Sequence, residues 1–139
     1  MDNPSMPVLR LAIVVWALLA CAWFALGAVQ THDENAAIAL IDQPGTPSAT
    51  QTARILALLH GAARLNPDRN IALYRSQAQT RAGDSAAAVR TALSVTRAEP
   101  LNIDAWTVLA FAAQRTDPAQ SRRAQREQLT LAPPVPAAP

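Results

Sequence analysis

Few side chains in this 139-residue chain are of the kind that performs chemistry, and those few stand apart from one another. The two histidines, His32 and His60, have no cysteine or carboxylate around them at the spacing of a metal centre. His60 adjoins Leu59 in an apolar-periodic stretch and reads as a boundary residue. Cys21 is the single cysteine, which rules out an intrachain disulfide and a thiolate cluster. The glycines Gly27, Gly45, Gly61 and Gly83 are isolated, so no loop can cradle a phosphate. No serine sits in a nucleophile elbow. The carboxylates are dispersed, and Asp68, Asp84 and Asp117 each stand where a helix would start, a place where a short acceptor side chain caps backbone N–H groups. We therefore expect no enzyme, no cofactor, no metal site and no small-molecule substrate.

The densest charge is Arg122, Arg123 and Arg126. One use would be an acidic partner or lipid headgroups; the plainer reading, which we prefer, is a solvated last helix. The twelve basic residues are all arginine, yet the net charge is only +2. No aromatics alternate with the arginines, so nucleic acid is not the expected partner.

The elements that must position these residues follow from composition and periodicity. Half of the chain is hydrophobic while only 4% is aromatic. Alanine supplies about a fifth of the residues, which suits helices and disfavours a sheet. Leu11 to Val29 is an uncharged apolar run of nineteen residues. At ~1.5 Å per residue it matches the ~30 Å hydrocarbon core of a bilayer. We read it as a single transmembrane helix, with residues 1–10 before it. Two alternatives stay open. Leu18-Leu19-Ala20-Cys21 loosely resembles a lipobox, although apolar sequence continues after Cys21. Ala25, Gly27 and Ala28 offer a signal-peptide cut, although the run is long for a signal core. Arg10 precedes the run and no arginine follows until Arg54, so the positive-inside rule puts residues 1–10 in the cytoplasm and the rest outside.

Thr31 to Glu34 has capping-box spacing, followed by Ala36, Ala37, Leu40 and Ile41. This predicts a short helix, or a continuation of the span, within a 31–49 linker region. Asp42 to Ala49 holds two prolines and a glycine and reads as a loop. Helices are expected over 50–65, 69–82, 85–98, 102–115 and 120–131; the first carries apolar residues at intervals of three and four, and the last is polar and arginine-bearing with few apolar positions. Gly83 can close one helix and Asp84 open the next. Asp117-Pro118 is a start signal. The tail from Pro133 is expected to be extended or disordered over 134–139.

Pro67, Pro100 and Pro133 end successive helix pairs and lie 33 residues apart. A fixed period of this size signals stacked helix hairpins, which bury a continuous seam between neighbours. Ala105, Trp106, Leu109 and Ala110, the turn Gly83-Asp84 with Ala88, and Ser121, Leu129, Leu131 and Pro133 resemble the tetratricopeptide repeat. Ala62, Leu65 and Pro67 resemble the end of a preceding unit. The likeness covers residues 50–133. It departs from the family in a period one residue short and in Arg75, Gln77 and Gln79, which stand near positions usually apolar or small. The fold expected is all-α: one transmembrane helix, then a short stack of antiparallel helix pairs, with Trp106 buried between pairs.

The resemblance implies that first helices form a concave face that binds segments of other proteins. Here that face would draw on Tyr74, Arg81, Asp104, Thr107, Phe111 and Arg115. The function expected is thus a membrane-anchored scaffold or adaptor with a protein partner, held to the membrane by residues 11–29. The alternative is an accessory subunit that docks on a larger membrane or envelope-assembly complex.

Overall fold

The computed structural model describes residues 5–64, 66 and 68–132, with the side chains of 5–9 left aside. The expectations for Leu65, Pro67 and the tail from Pro133 lie outside those residues. Six α-helices and no strand occur among the described residues: α1 (Ser5–Ile41), α2 (Ala49–Ala62), α3 (Asn70–Arg81), α4 (Ser85–Ala98), α5 (Ile103–Ala113) and α6 (Pro118–Leu131).

α1 is one unbroken helix of 37 residues. The capping box expected at Thr31 does not form. Thr31 lies inside the helix and its hydroxyl donates to the Gly27 carbonyl, 3.0 Å away. No proline or glycine interrupts the sequence between Gly27 and Pro44, so the polar residues His32–Glu34 are carried as part of the helix surface. From Arg10 to Ala25 every side chain is exposed, apolar ones included; Trp16 and Phe24 are 73% and 76% exposed. A core helix of a water-soluble domain would bury such residues. α1 is long and apolar enough to cross a membrane near the N-terminus.

The remaining helices start where short polar side chains accept from the backbone. Ser48 and Gln51 form a reciprocal capping box on α2. Asp84, Asn102 and Asp117 accept from Ala87, Ala105 and Gln120, at 3.0, 3.1 and 3.0 Å. α3 begins instead after an Asx turn, with Asp68 accepting from the Asn70 N–H. Gly83, at φ 85°, closes α3 in the left-handed conformation that glycine adopts without a steric penalty. α3 and α5 begin 33 residues apart, as do α4 and α6, so the 33-residue period is a period of structure.

Each helix packs on its neighbours in sequence. In addition α1 touches α3, and α3 touches α5, whereas α2, α4 and α6 make no contact with one another among the described residues. The odd helices are therefore the inner layer of a curved stack and the even ones the outer. Two apolar clusters fill the stack. Ala37, Ile41, Ile55, Leu59, Ala62, Ile71 and Ala78 join α1, α2 and α3. Leu73, Ala92, Val95, Ala105, Val108, Leu109, Ala110 and Ala124 join α3 to α6. α3 feeds both clusters, so it has no single apolar stripe.

Polar groups complete the close crossings. The buried Ser76 hydroxyl of α3 donates to the Ala88 carbonyl of α4 at 2.9 Å. One pair later the direction reverses, and Ser121 of α6 donates to Ala110 of α5 at 2.8 Å. Thr91 donates to the Gln79 side chain at 3.0 Å, which accounts for a polar residue where a repeat usually has an apolar one. Trp106 corrects an expectation. It is only half-buried, packed beside the second cluster, with its indole N–H donating to the Pro100 carbonyl at 2.8 Å. The fully buried positions of α5 here are Ala105 and Leu109, while Trp106 stands at the edge, bordering a hollow with Leu93 and Arg97 of α4 and Gln120 and Arg123 of α6.

Candidate functional site

Three odd helices side by side leave a furrow between their exposed edges. One hollow, between α3 and α5, is lined by Asn70, Leu73, Tyr74, Gln77, Asp104, Thr107 and Val108. A second, of about 380 Å³, is lined by Ile41, Asp42, Gln77, Arg81, Thr107, Val108 and Phe111. Gln77, Thr107 and Val108 belong to both, so the two hollows form one groove along the inner layer. Its length is that of α3 from Asn70 to Arg81, ~16 Å at ~1.5 Å per residue. That accommodates about five residues of extended polypeptide at ~3.3 Å each.

Five of the six residues expected on this face, Tyr74, Arg81, Asp104, Thr107 and Phe111, line the groove. Arg115 is exposed one turn beyond Phe111 and is not among the lining residues. Gln77 and Val108 form the middle of the groove and were not anticipated. The signal for Gln77 was present in the sequence: a polar residue at a usually apolar helix position is one that faces out of the seam.

The lining residues differ in how free they are. Phe111 is 61% exposed and also borders a third hollow toward α6, lined with Gln125 and Gln128. Asp104 is exposed at the opposite end of the groove. The Thr107 hydroxyl donates to the Ile103 carbonyl at 2.9 Å and so turns back to its own helix. Arg81 is engaged: its guanidinium donates to the Gln43 carbonyl and, at 2.6 Å, to the Gly45 carbonyl. It fastens the α1–α2 loop to the end of α3 and leaves Asp104 and Asp42 as the groove's other ionic groups. Arg81→Gln should release that loop. Cleavage of the 43–46 loop by a non-specific protease is expected to accelerate about tenfold, since a charge-assisted hydrogen bond contributes about 1.5 kcal/mol or more. Unchanged cleavage there would mean the contact restrains nothing.

The groove holds two aromatic side chains, two amides, hydroxyls and carboxylates spread along its length. That set suits recognition of a chain by contact and hydrogen bonding. Among the described residues no group of three metal-ligating side chains comes together. Arg122, Arg123 and Arg126 are exposed on α6, whose buried residues are Ser121 and Ala124 alone. That makes α6 a mostly polar outer face of the stack. No family model matches the chain, and no curated protein or solved structure matches it.

Proposed function

We propose that the chain is a membrane-anchored interaction module: a retained N-terminal span carrying a tetratricopeptide-like stack whose inner groove holds an extended segment of a partner protein. The observation that carries this reading is Phe111, a large apolar side chain exposed at the end of a groove whose floor is Val108. An exposed aromatic over a packed floor is the kind of anchor on which binding energy concentrates. The alternation of inner odd and outer even helices, and the 33-residue period of helix starts, support the repeat. With Arg81 tied to the loop, Asp104 and Asp42 favour a segment that is apolar at one point and basic or neutral elsewhere.

The experiment is capture of the partner by crosslinking and pull-down with full-length protein, compared with Phe111→Ala and Asp104→Asn. Both positions are exposed, so helicity and melting should be unchanged. Partner recovery is expected to fall at least tenfold for Phe111→Ala, a hot-spot loss above about 1.4 kcal/mol. Full recovery by both folded variants would move the interface to α1 and favour the accessory-subunit reading, in which the span docks on a larger membrane complex.

Orientation is the second part of the proposal. The arginine before the span and the lack of any arginine after it until Arg54 favour an extracytoplasmic stack. A reporter active only outside the cytoplasm, fused after Ala132, should be active. Activity of a cytoplasmic reporter alone would reverse the topology.

A further inference from the structure

The side chains of α1 become covered before the apolar run ends. After the fully exposed stretch to Ala25, Leu26, Gln30, Asp33, Glu34, Ala37 and Ile41 are partly or wholly covered. Leu26, Gln30, Asp33, Ala37 and Ile41 recur every three or four residues and mark the face that α1 turns to the rest of the fold; Ala36, Ile38 and Leu40 widen it toward the end of the helix. The run itself continues to Val29. The Gln30 side-chain nitrogen is shut off from solvent. The folded domain thus reaches down α1 to the level at which the span emerges. Asp33, whose carboxylate lies against Gly61 near the end of α2, is only ~6 Å past Val29. The polar layer of a bilayer is about 5–7 Å thick on each side.

The same end of the stack gathers the other turns. Arg69, just before α3, pairs with Glu99, just after α4, at 3.2 Å. α6 runs antiparallel to α5, as the Ser121–Ala110 hydrogen bond across the short turn shows, so its last turn also lies at this end. Outside α1, three large hydrophobic side chains among the described residues are more than half exposed: Leu101, Phe111 and Leu129. Phe111 belongs to the groove. The other two are on this end: Leu101 at the α4–α5 turn, 78% exposed, and Leu129 in the last turn of α6, 73% exposed.

We infer that this end of the domain rests on the bilayer, with Leu101 and Leu129 seated among the lipid headgroups beside the span. Large aliphatics at an interface gain by leaving water, which a bare turn in solution does not offer them. Acidic Asp68, Glu99, Asp104 and Glu127 are interspersed with Arg64, Arg69, Arg97 and Arg126 at this end, four of each sign, so the contact is with the bilayer interface itself and not with anionic lipid in particular. The groove, parallel to the odd helices, then stands upright on the membrane with Phe111 at the end away from it. This inference rests on α1 being a retained span.

The test is hydroxyl-radical footprinting of the full chain, one copy per phosphatidylcholine nanodisc, with flotation of the same sample reporting on the span independently. Normalised for side-chain reactivity, Leu101 and Leu129 should be labelled at one third or less of the rate of Phe111, although each is more exposed in the folded chain. Labelling of both at the rate of Phe111 or above overturns the contact, even where flotation shows the span in place. Protection that arises only in discs holding two copies also overturns it and assigns this end to self-association.

Discussion

Leu109→Ala should cost about 3–4 kcal/mol, well above the cost of Trp106→Ala, about 1–2 kcal/mol. Leu109 is 1% exposed in the cluster joining α3, α4, α5 and α6. Four of the seven other buried members of that cluster are alanines, Ala92, Ala105, Ala110 and Ala124, beside Leu73, Val95 and Val108. Alanines have no rotamers with which to fill a void, so the cavity stays open and the cost falls in the upper range for a deleted leucine. Trp106 is larger but half-buried, and its acceptor, the Pro100 carbonyl, stands where water can replace the indole. Its removal forfeits packing on one face and leaves no buried group unpaired. Against a total stability of about 5–15 kcal/mol, the first change would leave the stack marginal and the second would not. Urea unfolding of full-length protein in detergent, followed by loss of helix in the stack, gives both values. A larger loss for Trp106→Ala would put the tryptophan between the helix pairs and contradict the packing described.

That contrast locates where sequence reasoning succeeded and where it did not. Helix starts were legible because they depend on one side chain and its own backbone. Asp84 and Asp117 cap the helices that follow them, as expected, and Asn102, expected as the first residue of its helix, caps it, whereas Asp68 forms a turn ahead of α3 rather than its cap. The start of α6 at Pro118, two residues before the expected one, follows from the same Asp-Pro signal. The 33-residue spacing of prolines carried over into the spacing of helix starts because tight turns leave no slack between elements. Thr31 misled because a capping box is only potential: its side chain caps when the chain bends there, and nothing bends it before Asp42. Trp106 misled because its place in a repeat depends on the volume across the seam, which belongs to other helices. α3 was the hardest to read. Ile71 and Ala78 pack toward α2 while Leu73 packs toward α5, and Ser76 and Gln79 make polar contacts with α4. A helix buried on two sides, with polar groups in one seam, has no amphipathic period to find. The groove suffered likewise: residues on its rim, such as Phe111, were visible as apolar positions off the stripe, and Gln77 as a polar one, whereas Val108 is brought into it only by the crossing of α3 and α5.

The largest effect is expected from charge in α1. Val15→Arg with Leu19→Arg places two guanidiniums one turn apart near the middle of the apolar run. Each costs about 2.5–3.5 kcal/mol at the centre of a bilayer, so together they oppose insertion by about 5–7 kcal/mol, a shift of more than a thousandfold. Both side chains are exposed, at 46% and 57%, so neither substitution disturbs packing within the fold. If α1 instead projected into water, the same pair would remove exposed apolar surface and leave membrane association untouched. The measurement is the share of protein in the alkali-resistant membrane fraction, with Ala86→Arg, on the exposed side of α4, as the control for added charge. Near-complete loss from that fraction is expected for the double variant and none for the control; retention of the double variant would end the span reading. The mass of the mature wild-type protein decides how the span is used. A cut near Ala25–Ala28 would leave a stub of α1 that still carries Ala37 and Ile41 into the first cluster, so the stack would survive without its anchor. An intact N-terminus would mean that the stripe from Leu26 to Ile41 joins membrane and groove as one rigid helix.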